Sequence, residues 1–380
     1  MLSAEGFFNK FGFRLIWFRE NPSHIDFSTL EQTFQLTSIV TFAALIVLLR
    51  NIDFKMIFRA TVVFSGLAML IGGSLFPNSL ITYFLIAFFC PKALLLLGWA
   101  YINQMANKHE GIRYYFALNF MAGILVCFIN IVSQILFVWL FNSGNATVLP
   151  SLPAWFGIIC LVLVWIFDRI IHKRMNENEE AENTLTTQIK WLPVTCLGII
   201  ASGLSVVYKI NQPEFTAQMK KLFATNHEYI CSIPRYSVIS GCAILCFSAF
   251  TMFIGPKIVE KKGWKYAVLI APIAVFLAIL LSSAKITTWT FPVGQLITQF
   301  SNKAWIILLV QIAFLSYAKK TRFYLQAWTF LVVAALIEFG FAFANLGHMA
   351  ASIASCVILA LMVASTYILS KPNNSMELPQ

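Results

Sequence analysis

The chain has 380 residues, 59% hydrophobic and only 11% charged, where a soluble domain carries about 25% charged residues. Its mean hydropathy is +0.77, and apolar runs long enough to cross roughly 30 Å of hydrocarbon recur from end to end. A net charge of +11 would suit nucleic acid, but the cations fall in short alternate loops, so neither a nucleic-acid binder nor a soluble domain is expected. An outer-membrane barrel would instead alternate in polarity over segments of about ten residues. The sequence therefore predicts an all-α polytopic protein of the lipid bilayer.

In chain order, residues 1–32 form an N-terminal segment whose Phe-rich start carries Lys10, Arg14 and Arg19 and is amphipathic rather than spanning. About eleven spans follow, at 33–49, 57–76, 80–106, 116–141, 154–171, 190–210, 235–256, 265–284, 295–318, 325–346 and 349–370. The first is weak, because Gln35, Thr37 and Ser38 thin its start. Residues 172–189 are hydrophilic and acidic, a linker between a bundle over 33–171 and a second over 190–370, with a tail at 371–380.

Basic loops alternate with loops that lack Lys and Arg. Arg50, Lys55 and Arg59, then Lys108 and Arg113, Lys173 and Arg174, Lys257 to Lys265, and Lys319, Lys320 and Arg322 mark one side. The positive-inside rule puts these loops and the C-terminal tail in the cytoplasm. It puts residues 211–234 outside as a loop, although they carry Lys220 and Lys221. The eight cysteines are scattered, without CxxC or paired histidines, and read as small packing residues.

Ionisable groups inside spans are costly and point to function. Lys92 follows Pro91 near the middle of its span, where proline frees a carbonyl and can kink the helix. It reads as a cationic contact for an anionic solute or as a snorkelling lysine. Glu338, close to Gly340, reads as a coupling carboxylate or as a packing hydrogen-bond partner. Gln295, Gln299, Asn302 and Lys303 recur every three to four residues, a polar stripe that must face protein or water. Asn119, Asn130 and Gln134 offer a second wall, with helix–helix hydrogen bonding as the alternative. No HExxH, Walker A loop or GxSxG is present, so no enzyme activity, cofactor or metal is expected.

Three stretches together resemble the nucleotide transporter family, the ADP/ATP translocases of obligate intracellular bacteria and plastids. "GWAYINQMANKHEGIRYYFALNFMAGI" at 98–124 carries Asn103, Gln104, Glu110, Arg113 and Tyr115 in the family's order. "AQMKKLFATNHEY" at 217–229 matches at Gln218, Lys220, Leu222, Glu228 and Tyr229. "GPKIVEKKGWKYAVLIAPI" at 255–273 supplies Gly263, Trp264 and Pro272. The likeness covers roughly residues 10–320 and departs at several points. The family's first helix does not follow "FNKFGFRLIWFRE", and its Glu and Lys near Gln212 and Thr216 are absent. The charged pair expected near Ala313, Phe314 and Tyr317 is also absent.

The resemblance implies two six-helix bundles of major-facilitator type and exchange of ATP for ADP, or proton-coupled nucleotide uptake, across a bacterial inner membrane. Phosphate charge must be compensated in such a path. Lys92, Asn103, Gln104, Lys220, Lys221, Gln299 and Lys303 are the expected substrate contacts, with Glu338 as coupling group. Two alternatives stay open. One is a proton-coupled carrier of a less charged solute, and the other is a carrier-derived membrane protein without transport.

Overall fold

The computed structural model describes residues 27–48, 54–76, 79–105, 111–142, 157–159, 161–162, 189–221, 226–283, 305–344 and 347–371. Among them the regular structure is helical and no sheet forms. Lipid demands this, since each backbone group must be satisfied within its own segment. The helices are α1 (Phe27–Leu48), α2 (Phe54–Leu75), α3 (Leu80–Tyr83), α4 (Cys90–Met105), α5 (Gly111–Asn142), α6 (Trp191–Lys221), α7 (Asn226–Lys262), α8 (Trp264–Ser283), α9 (Ile307–Phe314), α10 (Lys319–Ala344) and α11 (His348–Ser370). Four stretches, Met56–Leu75, Gly241–Lys261, Thr321–Gly340 and Met349–Ser370, are by themselves long and apolar enough to cross a bilayer.

Two compact units form. One comprises Met1–Met105 with Ile135–Thr184, the other Ala106–Gln134 with Leu185–Gln380. In the first, Val62, Met69, Ile86, Cys90 and Leu94 make the core, flanked by Phe34, Phe84 and Phe89. Phe42 stacks on Phe89 with centroids 5.0 Å apart. A π-helical turn, Phe84–Phe89, joins α3 to α4 just before Pro91. Proline has no N–H and its ring crowds the carbonyl four residues back, so the widened turn relieves a clash that a regular helix would suffer. The weak first span is explained too. Thr37 and Thr41 hydroxyls donate to the carbonyls of Thr33 and Thr37, each at 2.7 Å, and so enter lipid already satisfied.

The second unit is assembled on α6, which packs against α8, α10 and α11. Two glycines on α6 face different neighbours: a side chain at Gly198 would meet Val332 of α10, and one at Gly203 would run into Met362 of α11. Five residues turn a helix by about 140°, which is why one helix serves both partners.

Polarity of packing is reversed relative to a soluble protein. On α11, Met349, Ile353, Val357 and Leu361 recur every fourth residue and are exposed, while Ala351, Ala354, Ser355 and Ile358 are buried. On α8, Ala267, Ala271 and Ala274 face inward, and Tyr266, Ile273, Phe276 and Leu280 face out. Small residues inside bring helices close, and large apolar ones outside meet hydrocarbon.

Two loop expectations are corrected. Residues 211–221 and 226–234, expected as loop, are helical: α6 runs to Lys221 and α7 starts at Asn226. The basic run around Gly263 is also helical. α7 ends in Lys261 and Lys262, Gly263 turns at φ +82°, and α8 begins at once. Glycine past the last turn and lysines near the C-terminal carbonyls favour that stop.

A Cβ at Gly157 would come 2.8 Å from the backbone nitrogen of Leu70 on α2, whereas one at Gly98 meets nothing. Gly157→Ala should therefore cost about 1–3 kcal/mol of stability through overpacking. Gly98→Ala should be neutral or stabilising by up to ~1 kcal/mol. Thermal unfolding of the two variants in detergent checks the contrast, and equal behaviour would refute the close approach.

Candidate functional site

The sequence-predicted contacts fall in different places. Lys92 and Asn103 lie on α4, at its start and near its end, with Gln104 beside Asn103. Eleven residues are close to three full turns, so Lys92 and Asn103 share a helix face about 16 Å apart. Asn103 is wholly buried. Lys220 and Lys221 close α6. Gln299 and Lys303, with Gln295 and Asn302, lie outside the described residues.

Glu338 is half-buried on α10. Two residues on, Gly340 lies against α6, where a Cβ would stand 3.0 Å from Val206 Cγ1. Lys220 is ten residues beyond Ile210, which flanks the same contact, so it is about 15 Å further along α6.

The structure adds a group that the loop reading had left at the surface. Arg322 is fully buried. Its Nε donates to the Tyr317 carbonyl at 2.8 Å and a terminal nitrogen to the Leu315 carbonyl at 3.1 Å. A helix end leaves carbonyls without intrahelical donors, and a guanidinium carries five N–H groups in a fixed fork. Arg322 thus closes the break between α9 and α10. Gln326 and Thr329 are buried after it, at spacings of four and three residues that place all three on one face. The rule that singled out residues 295–303 applies equally here. Its place in a basic stretch, Lys319 to Arg322, makes Arg322 look like a loop cation. Glu338, nine residues past Thr329, stands on the opposite side of the helix.

A second cluster joins two of the three stretches quoted above. Arg113 of α5 pairs with Glu260 of α7 at 3.6 Å, both exposed. One turn inward the Phe116 ring fills the space a side chain would take at Gly255, and it lies 5.9 Å from the Trp305 ring. Trp305 donates Nε1–H to the Ala267 carbonyl at 2.8 Å. Tyr115, next to Phe116 on α5, is fully buried. Further along, the Asn119 amide donates to Ser248 Oγ at 3.2 Å. For Asn119 the helix–helix alternative is therefore the one that the structure supports.

An inward small-residue face, an outward apolar face and buried polar groups at helix breaks define a multi-pass membrane protein. The family described as TLC ATP/ADP transporter matches residues 34–314, well over half of the sequence, and the chain belongs to that family. It is similar to ADP,ATP carrier protein 4 of Rickettsia bellii (strain RML369-C), at 23% identity over 217 residues. That match covers 51% of this chain and 41% of the relative's length.

Replacing Arg322 with Ala strands the Leu315 and Tyr317 carbonyls, each charge-assisted bond being worth about 1.5–3 kcal/mol. The variant should unfold at clearly lower temperature and give less monodisperse protein in detergent, while Lys257→Ala at an exposed site should not. Arg322→Lys should recover only part, for want of the planar fork. Wild-type stability in Arg322→Ala would contradict the clamp.

Proposed function

We propose that the chain is a secondary carrier that moves a nucleotide or related anionic metabolite across a bacterial inner membrane. The observation that carries this reading is the transporter-family match over residues 34–314, and the relative's name, an ADP,ATP carrier, agrees with it. Alternating access would operate between bundles at 33–171 and 190–370. The linker at 172–189 and the tail at 371–380 would lie in the cytoplasm, where the positive-inside rule puts them.

A phosphate chain cannot enter low dielectric without compensating cations. Lys92, Lys220, Lys221 and Lys303 are the cations proposed for that task, with Asn103, Gln104 and Gln299 as polar contacts. The shared face of Lys92 and Asn103 along α4 supports a path that hands the solute from one to the other. Glu338, half-buried in its helix, is the proposed coupling carboxylate. A carboxylate can take up and release a proton, which is what proton coupling requires.

Purified protein in liposomes should accumulate labelled ATP or ADP against preloaded unlabelled nucleotide. Lys92→Ala should raise the half-saturating concentration about tenfold, the effect of losing about 1.4 kcal/mol of contact energy. An absence of counterflow with every nucleotide tried would sink the substrate assignment. Where uptake responds to a pH gradient, Glu338→Gln should abolish that response while leaving binding in place. An unaltered response would remove Glu338 from the coupling role.

A further inference from the structure

Helices α5 and α7 are far apart in sequence, yet they meet along an antiparallel seam. From the basic end inward the contacts are Arg113 with Glu260, Phe116 with Gly255, Asn119 and Gly123 with Ser248, and Cys127 with Cys242. The last pair brings the two Sγ atoms to 3.8 Å. From Arg113 to Cys127 the seam runs for about 21 Å, more than half of the roughly 30 Å of hydrocarbon.

Its chemistry differs from that of the α6 contacts. Among the described residues it holds an ion pair, a side-chain hydrogen bond, a ring over a glycine and a thiol pair. The ion pair is water-exposed, with side chains 79% and 41% accessible, and such pairs contribute only about 0–1 kcal/mol. The Asn–Ser bond joins two neutral groups, each able to turn to another partner. Helix α5 is also where the compact units change, between Gln134 and Ile135.

We propose that the α5–α7 seam is a gate at the basic end of the protein. It parts and re-forms in each transport cycle, with Arg113–Glu260 and Asn119–Ser248 as its latches and Phe116 seated on Gly255 as its plug. The proposal rests on the carrier reading above and adds the residues that open. Cys127 and Cys242 lie at its inner end, so joining them holds the seam shut. Enlarging Gly255 drives a side chain into Phe116 and wedges it open.

The test uses full-length protein in liposomes treated with copper-phenanthroline. Oxidation takes two protons and two electrons from the thiol pair, passes the electrons to dioxygen and forms the Cys127–Cys242 bond. The linked peptide is quantified by mass spectrometry, and labelled-nucleotide exchange is measured on the same vesicles. Linked protein should exchange at least about tenfold more slowly, as expected when a gating step becomes limiting. Dithiothreitol should restore the rate, and Cys127→Ser protein should be indifferent to the oxidant. Gly255→Ala should slow linking, and adding Phe116→Ala should restore it.

Linked protein that exchanges at full rate, or a pair that never links, overturns the gate. If untreated protein moves no nucleotide, the carrier reading fails separately. The gate is then decided by spin labels at positions 114 and 257 in a cysteine-free background, read by pulsed distance measurement. Two separations are expected, and a single short one under every condition overturns it.

Discussion

Arg322 sits wholly inside the protein, with its guanidinium on the Leu315 and Tyr317 carbonyls, and it expresses the constraint that governs the rest. Hydrocarbon supplies no hydrogen bonds, so wherever the backbone leaves its helical ladder another group of the same protein must complete it. At the α9–α10 break that group is an arginine, at Pro91 it is a widened turn, and at Gly263 it is a left-handed residue followed at once by a new helix. In α1 the threonine hydroxyls turn back onto their own helix for the same reason. These local solutions allow the helices to pack through alanine and glycine and leave large apolar side chains to the lipid.

The order of the helices was legible from hydropathy, because a run of apolar residues that must span ~30 Å has few alternatives. The described helices overlap the expected spans, except that the expected span 295–318 is broken at 315–318, between α9 and α10. Polar stretches at the helix ends were harder to read. Residues 211–221 hold Lys220, Lys221 and Pro213 and score as a loop by composition, yet they continue α6. Hydropathy measures preference for lipid, not helicity, and a helix can project past the membrane without a change of geometry. The same confusion took Arg322 for a surface cation. Its real signal was the spacing to Gln326 and Thr329, a periodicity visible only once the segment is taken as helical.

The candidate site was legible in type rather than in arrangement. Asn103, near the end of α4, is wholly buried. The pairing of Arg113 with Glu260 could not be read from either stretch alone, since each looked like an ordinary basic loop. What distinguishes them is that Glu260 is the one acid within a run of lysines, and that run packs against the stretch carrying Arg113. Motif residues quoted from separate stretches, Arg113 and Gly263 among them, thus belong to one end of one unit.

The carrier function proposed for this chain requires it to bind a phosphate-bearing solute. Direct binding tests it most closely: equilibrium dialysis of labelled ATP against purified protein in detergent, across a range of salt concentrations. The account predicts saturable binding that ADP displaces and that weakens as salt screens the lysines. Binding that is absent, or that neither saturates nor yields to ADP at low salt, would contradict it.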